Sequence, residues 1–284
     1  MDSYIFNISN DLYNTPRHLI IAIKKIITRN NKMKLTKSFS FENALHFAKL
    51  SELAYEKSEE TFKKETKPMG YKNIKYFDVY GAQCYGLEAD KHIVLTFRGT
   101  EANTKNDVCA DLNILLRPDY DGLQKGRVHS GFRDEVDTLW TDITDWLKTK
   151  RTKQIYTCGH SLGGAMSGIA ASRLPGAICY NYGCPRIGTN KWRKAFEETH
   201  QMFRFVNDRD IVPRIPPTWM RYRHTGDLFF IDKKGKILKN PNKFKQFTTG
   251  LAHMCMNPLR ITQGISDHSM KDYIKFISDW VERK

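Results

Sequence analysis

A chain of 284 residues that is 40% hydrophobic and 12% aromatic carries enough apolar surface for one sizeable core, which excludes a disordered chain. Its net charge of +15 is spread over many stretches without a nucleic-acid reader motif. We therefore expect a lysine-rich solvated surface, with attraction to anionic lipid surfaces as the next reading and no nucleic-acid partner.

The six cysteines are scattered without metal-ligand spacing, which predicts free thiols, a reducing compartment and no disulfide framework. Residues 1–34 read as an N-terminal extension to a domain covering 35–284. Within the extension, Leu19, Ile20, Ile23, Ile26 and Ile27 fall at helical spacing among Arg17, Lys24, Lys25 and Arg29. That is an amphipathic helix, packed on its own domain or lying on a membrane surface. No basic leader precedes it, and its apolar run is too short to span a bilayer, so the expectation is an intracellular, cytoplasmic protein.

Ser40 is the candidate N-cap of a helix to about residue 57, followed by a lysine- and glutamate-rich connection. Residues 76–80 and 84–87 predict a hairpin around Gly81, and 93–97 a buried strand ending at Arg98-Gly99-Thr100. Residues 101–112 begin polar, and 114–116 predict another strand. Val136, Leu139, Trp140, Ile143 and Leu147 mark a long helix over 132–150. There follow a strand at 155–158, a small-residue helix to Arg173, a strand at 177–182, a short helix at 192–200 and a strand at 202–206. A hairpin spans 228–238, residues 240–268 show little regular pattern, and a helix closes the chain at 269–281. The alternation predicts an α/β fold, a mostly parallel central sheet with helices on both faces. Its working residues belong on the loops after Phe97, Cys158, Tyr182 and Val206, at the carboxyl ends of strands.

The chain turns on Gly159-His160-Ser161-Leu162-Gly163, set between the strand at 155–158 and the helix that follows. Strand, Gly-x-Ser-x-Gly, helix is the setting of a nucleophile elbow, in which small neighbours let the two elements pass closely. Such a serine needs a histidine to take its proton and a carboxylate to orient that histidine, in the chain order serine, acid, histidine. His200, His224, His253 and His268 follow Ser161. His200 precedes any candidate acid, His268 lies in a loop just ahead of the last helix, and His224 and His253 remain rivals. Asp208 and Asp210 share the loop after the strand at 202–206 and stay unresolved as acids. Leu162 supplies one backbone N–H to an oxyanion hole, and Thr100 the other.

Six segments then resemble the fungal-type class 3 lipases, a branch of the α/β-hydrolases. They are Phe97-Arg98-Gly99-Thr100, Ala110-Asp111-Leu112, Val128-His129-Ser130-Gly131-Phe132, Gly159-His160-Ser161-Leu162-Gly163-Gly164, Gly183-Cys184-Pro185-Arg186-Ile187-Gly188 and Asp210-Ile211-Val212-Pro213. The resemblance implies the α/β-hydrolase fold, with Ser161 as nucleophile, Asp210 in preference to Asp208 as acid, and His268 as base. It places Thr100 and Leu162 at the oxyanion hole, has Asp111 steady the Thr100 side chain, and makes the segment after Thr100 a lid. The family's aromatic lid residue has no counterpart in residues 101–108, which weakens the expectation of interfacial activation.

The resulting expectation is a serine acyl-hydrolase on lipid esters, glycerolipids first, that needs no metal or organic cofactor. A phospholipase or a small-ester esterase is the alternative within that class. A non-catalytic binding protein on the same fold is the alternative outside it. Oligomeric state stays open.

Overall fold

A computed structural model describes residues 35–56, 58–99, 115–150, 152–208, 210–241 and 268–283. The expectations for 1–34, Thr100, the 101–108 lid, Asp111 and His253 fall outside the described residues. The strands in chain order are β1 (Asn73–Val79), β2 (Ala82–Glu88), β3 (His92–Phe97), β4 (Leu116–Arg117), β5 (Val128–His129) and β6 (Gln154–His160). After them come β7 (Ile178–Tyr182), β8 (Gly188–Thr189), β9 (Gln201–Asn207), β10 (Tyr222–Arg223), β11 (Asp227–Ile231) and β12 (Ile237–Lys239). The helices are α1 (Phe41–Leu53), α2 (Glu59–Thr66), α3 (Ser130–Leu147), α4 (Leu162–Arg173), α5 (Asn190–Thr199) and α6 (Met270–Glu282).

Eight strands form the main sheet in the order β1-β2-β3-β6-β7-β9-β11-β12, and β10-β8-β5-β4 make a small second sheet. The five strands β3, β6, β7, β9 and β11 run parallel, with antiparallel strands at both edges. Parallel strands are buried on both faces, which is why β7 reads Ile-Cys-Tyr-Asn-Tyr and is buried throughout. On one face Phe132, Val136, Leu139, Ile143 and Leu147 of α3 pack with Met166 and Ile169 of α4. On the other, α1 and α6 bury Phe47, Leu50, Tyr273 and Ile277 against Tyr156, Tyr180 and Phe205.

Two expectations need correction. The connection after α1 contains a helix, α2, capped by Ser58 and carrying a Glu59–Lys63 pair at 2.7 Å. Its single large apolar residue, Phe62, stacks on Tyr85 with centroids 3.6 Å apart, so one anchor holds a helix whose other faces are polar. The helix expected to run to residue 57 ends at Leu53. The expected hairpin of β11 and β12 forms, and β11 also pairs in parallel with β9, so the hairpin extends the main sheet. Cys84, Cys158, Cys179 and Cys184 are free and buried.

Among the described residues, no helix is long and apolar enough to cross a membrane.

Candidate active site

The registers Phe97↔Gly159, His160↔Tyr182 and Tyr182↔Phe205 bring the carboxyl ends of β3, β6, β7 and β9 to one edge of the sheet. The loops leaving that edge carry Gly99, Ser161, Gly183 and Asp210. At Ser161 the backbone adopts φ 58°, ψ −128°, a strained conformation for a residue with a side chain. Two glycines make the turn feasible. A Cβ on Gly159 would overlap the Gly163 carbonyl, and one on Gly163 would overlap the carbonyl of Phe97. The Ser161 amide is tied to the neighbouring strand by donating to the Tyr182 carbonyl at 3.0 Å. Leu162 is the first residue of α4, so its N–H has no acceptor within the helix and lies at the helix's positive end.

Asp210 is fully buried. Its Oδ1 accepts from the Val212 amide at 2.9 Å, and its Oδ2 accepts from His268 Nδ1 at 2.8 Å and from the Tyr273 hydroxyl at 2.6 Å. The Tyr273 oxygen in turn accepts the Asn207 amide proton at 3.0 Å, so its own hydrogen is directed to Asp210. Burial, and then the Asp210 charge, push the Tyr273 phenol well above its usual range, which keeps that hydrogen in place. A carboxylate that only accepts requires the proton on Nδ1 of His268. Nε2 is left as the basic nitrogen. It is buried and has no hydrogen-bond partner among the described residues.

His268 is seated from two sides. Gly183 (φ 57°) lies so close that a Cβ there would stand 2.7 Å from both Asp210 Oδ2 and His268 Cε1. The ring of His160, next to the serine, packs on the His268 ring with centroids 4.2 Å apart. His160 Nε2 lies 2.7 Å from the His268 carbonyl oxygen, and Nδ1 lies 3.0 Å from the Tyr55 hydroxyl. A carbonyl can only accept, so Nε2 donates and Nδ1 accepts from Tyr55. Burial, and then His268, hold the His160 pKa well below 6.5, which keeps the ring neutral.

Two of the rival histidines are engaged elsewhere. His224 is held by the Pro213 backbone, and His200 bonds Thr199 Oγ1 and the Leu174 carbonyl beyond the far end of α4. Asp208 is buried, and neither carboxylate oxygen has a hydrogen-bond partner among the described residues. A pocket of about 370 Å³ opens beside the elbow, walled by Gln83, Arg98, Gly99, Glu135, Leu162 and Met166. Among the described residues, no group of three or more His, Cys, Asp or Glu could hold a metal ion.

Sequence reading did not find His160, Tyr55 or Tyr273 as parts of this arrangement. Tyr273 carried a usable signal, since it lies on the inward face of the helix that begins just after His268.

A mostly parallel sheet with a strained serine between β6 and α4, and an Asp–His pair on the neighbouring loops, is the architecture of the α/β-hydrolase fold. Residues 94–220 match the family described as lipase (class 3). The matched region is just under half of the chain, and it carries the likeness to the class 3 lipases. The lipase of Rhizopus oryzae is 30% identical over 158 residues, covering 50% of this chain and 40% of that one. The toxin TseL of Vibrio cholerae is 26% identical over 193 residues, covering 52% of this chain and 30% of the toxin. The solved lipase of Rhizopus microsporus var. chinensis superposes with a TM-score of 0.58 at 27% identity, covering 67% of this chain and 74% of that one. The chain thus spans less than half the length of these two curated relatives.

Proposed function

We propose that the protein hydrolyses carboxylic ester bonds of lipids, glycerolipids first, through an acyl-enzyme on Ser161. The observation that carries this reading is the His268 imidazole, its proton fixed on Nδ1 by Asp210 and its Nε2 unengaged beside the elbow. Ser161 Oγ attacks the acyl carbonyl as its proton passes to Nε2. The imidazolium that forms is stabilised by Asp210, which Tyr273 and the Val212 amide hold in place. The developing oxyanion is met by the Leu162 N–H and by Thr100, with Asp111 steadying the Thr100 side chain. His268 then protonates the departing alcohol, and a water activated by the same imidazole releases the acid. Bonds of this kind are often open in a free enzyme and tighten around substrate.

A phospholipid substrate is the second reading. Arg98 and Glu135 line the pocket beside Leu162, and a charged headgroup suits such a wall better than a bare acyl chain does. The polar composition of residues 101–108 supports action on soluble esters as well. The lipase relatives support the lipid-ester reading, and the net charge supports work at an anionic lipid surface. Free buried thiols support a reducing, cytoplasmic location.

The test is a panel of nitrophenyl esters, diacylglycerols and phospholipids, each with the Ser161→Ala protein as control. Hydrolysis that vanishes in the variant supports the proposal. Hydrolysis that persists in the variant, or is absent from the wild-type protein, refutes it.

A further inference from the structure

Trp219 is 80% exposed, at the centre of the short 3-10 turn Thr218–Met220. An indole left in water is costly to maintain and is a common anchor at membrane–water interfaces, where one side of the ring stays wet. The run around it is strongly one-signed. Residues 211–226 carry Arg214, Arg221 and Arg223 and contain no Asp or Glu. Arg221 and Arg223 follow the turn and are exposed. Behind them Arg186 is pushed down to about 10 by burial, and then by Arg223 and Arg214.

The turn is also firmly mounted. Arg223 Nη1 donates to the Thr218 carbonyl at 2.7 Å, and the Arg221 amide donates to the same carbonyl at 3.1 Å. The Arg186 amide donates to Ile215 at 2.8 Å, and its guanidinium donates to Pro216 at 2.8 Å. An aromatic group presented on a prebuilt turn loses little conformational freedom when it is captured. The segment leaves the same sheet edge as Asp210, and Arg186 ties it to the loop after β7, so it is built on the loops that form the site.

We propose that Trp219, with Arg221 and Arg223, forms a docking surface for an anionic lipid bilayer, the indole entering the headgroup layer and the guanidinium groups meeting lipid phosphates. The inference rests on the lipid-ester reading and names the surface on which that chemistry takes place. An exposed indole within a carboxylate-free arginine run suits anionic headgroups, whereas a neutral droplet would leave the cations unmatched.

The experiment uses the full chain carrying Ser161→Ala, so that vesicles stay intact. Co-sedimentation is measured with vesicles of phosphatidylcholine alone and of phosphatidylcholine with phosphatidylglycerol. Binding is expected to the mixed vesicles only, weakened about tenfold by Trp219→Ala and by the pair Arg221→Gln and Arg223→Gln. Brominated lipid should quench an indole signal that is lost in Trp219→Phe. Equal binding by Trp219→Ala, equal binding to neutral vesicles, or retention on nucleic acid in place of vesicles would overturn the proposal. Soluble nitrophenyl-ester turnover, with Ser161 intact, should be unchanged by Trp219→Ala. Its absence from the wild-type protein would instead count against the hydrolase reading, so the two failures are read in separate assays.

Discussion

His160 and His268 are joined by a hydrogen bond in which the His160 Nε2–H donates to the His268 carbonyl across 2.7 Å, while the two rings lie 4.2 Å apart. The neighbour of Ser161 thereby fixes the backbone of the histidine that pairs with Asp210. Tyr55 extends the chain by donating to His160 Nδ1, and its hydroxyl lies against Gly99 at the end of β3. Three loops of the site are thus keyed to one neutral imidazole.

His160→Phe keeps a ring against His268 and removes both hydrogen bonds. Leaving the Tyr55 hydroxyl and the His268 carbonyl unmatched should cost about 1–3 kcal/mol of stability. We expect kcat to fall while KM for a short ester changes little, because the base is misplaced and the pocket is untouched. Steady-state kinetics beside a thermal melt separates the two effects.

The two loop aspartates should behave in opposite ways. Asp210→Asn removes the acceptor that holds the proton on His268 Nδ1, and a drop in kcat on the order of 10⁴ is expected by analogy with other triads. Asp208→Asn replaces a buried carboxylate whose oxygens have no partner among the described residues, so it should leave kcat intact and raise the melting temperature. Urea unfolding and ester kinetics on both variants check this contrast.

Tyr273→Phe deletes the donor to Asp210 Oδ2 and leaves the Asn207 amide without its acceptor. The expected result is a loss of about 1–3 kcal/mol in stability, with a smaller fall in kcat than Asp210→Asn produces. Gly183→Ala is harsher, since its Cβ would stand 2.7 Å from both members of the Asp–His pair. That variant should lose activity even where circular dichroism reports a folded chain.

How much of this was legible beforehand depended on how local each signal is. The elbow could be read because its glycines answer a local steric demand between β6 and α4. The choice between Asp208 and Asp210 could not be read from the residues, because it depends on which one meets His268 across 58 positions of chain. Family resemblance favoured Asp210, and the structure pairs His268 with that residue. Helix α2 went unread because its charged residues resemble a linker, although Ser58 as cap, early Glu59 and late Lys63 were visible. The parallel pairing of β11 on β9 was hidden for a different reason: a hairpin pattern says nothing about the strand on its other side.

Acid should destabilise the fold. Burial lowers the His46 pKa to about 3 and that of His129 to about 4, and holds His160 well below 6.5. The unfolded chain takes up protons at these groups near pH 6.5, where the folded chain does not, so stability is complete above that pH and is lost below it. Between pH 6.5 and 5, His46 and His129 alone should cost roughly 2 kcal/mol each. Thermal melts across this range should show a steady fall, and a flat profile would contradict the assignment of neutral buried histidines.

The most direct measurement is covalent labelling with a fluorophosphonate followed by peptide mapping. The account predicts one adduct, on the peptide containing Ser161, absent from Ser161→Ala and much slower to form in His268→Ala. An unlabelled wild-type protein, or an adduct on another serine that persists in Ser161→Ala, would contradict it.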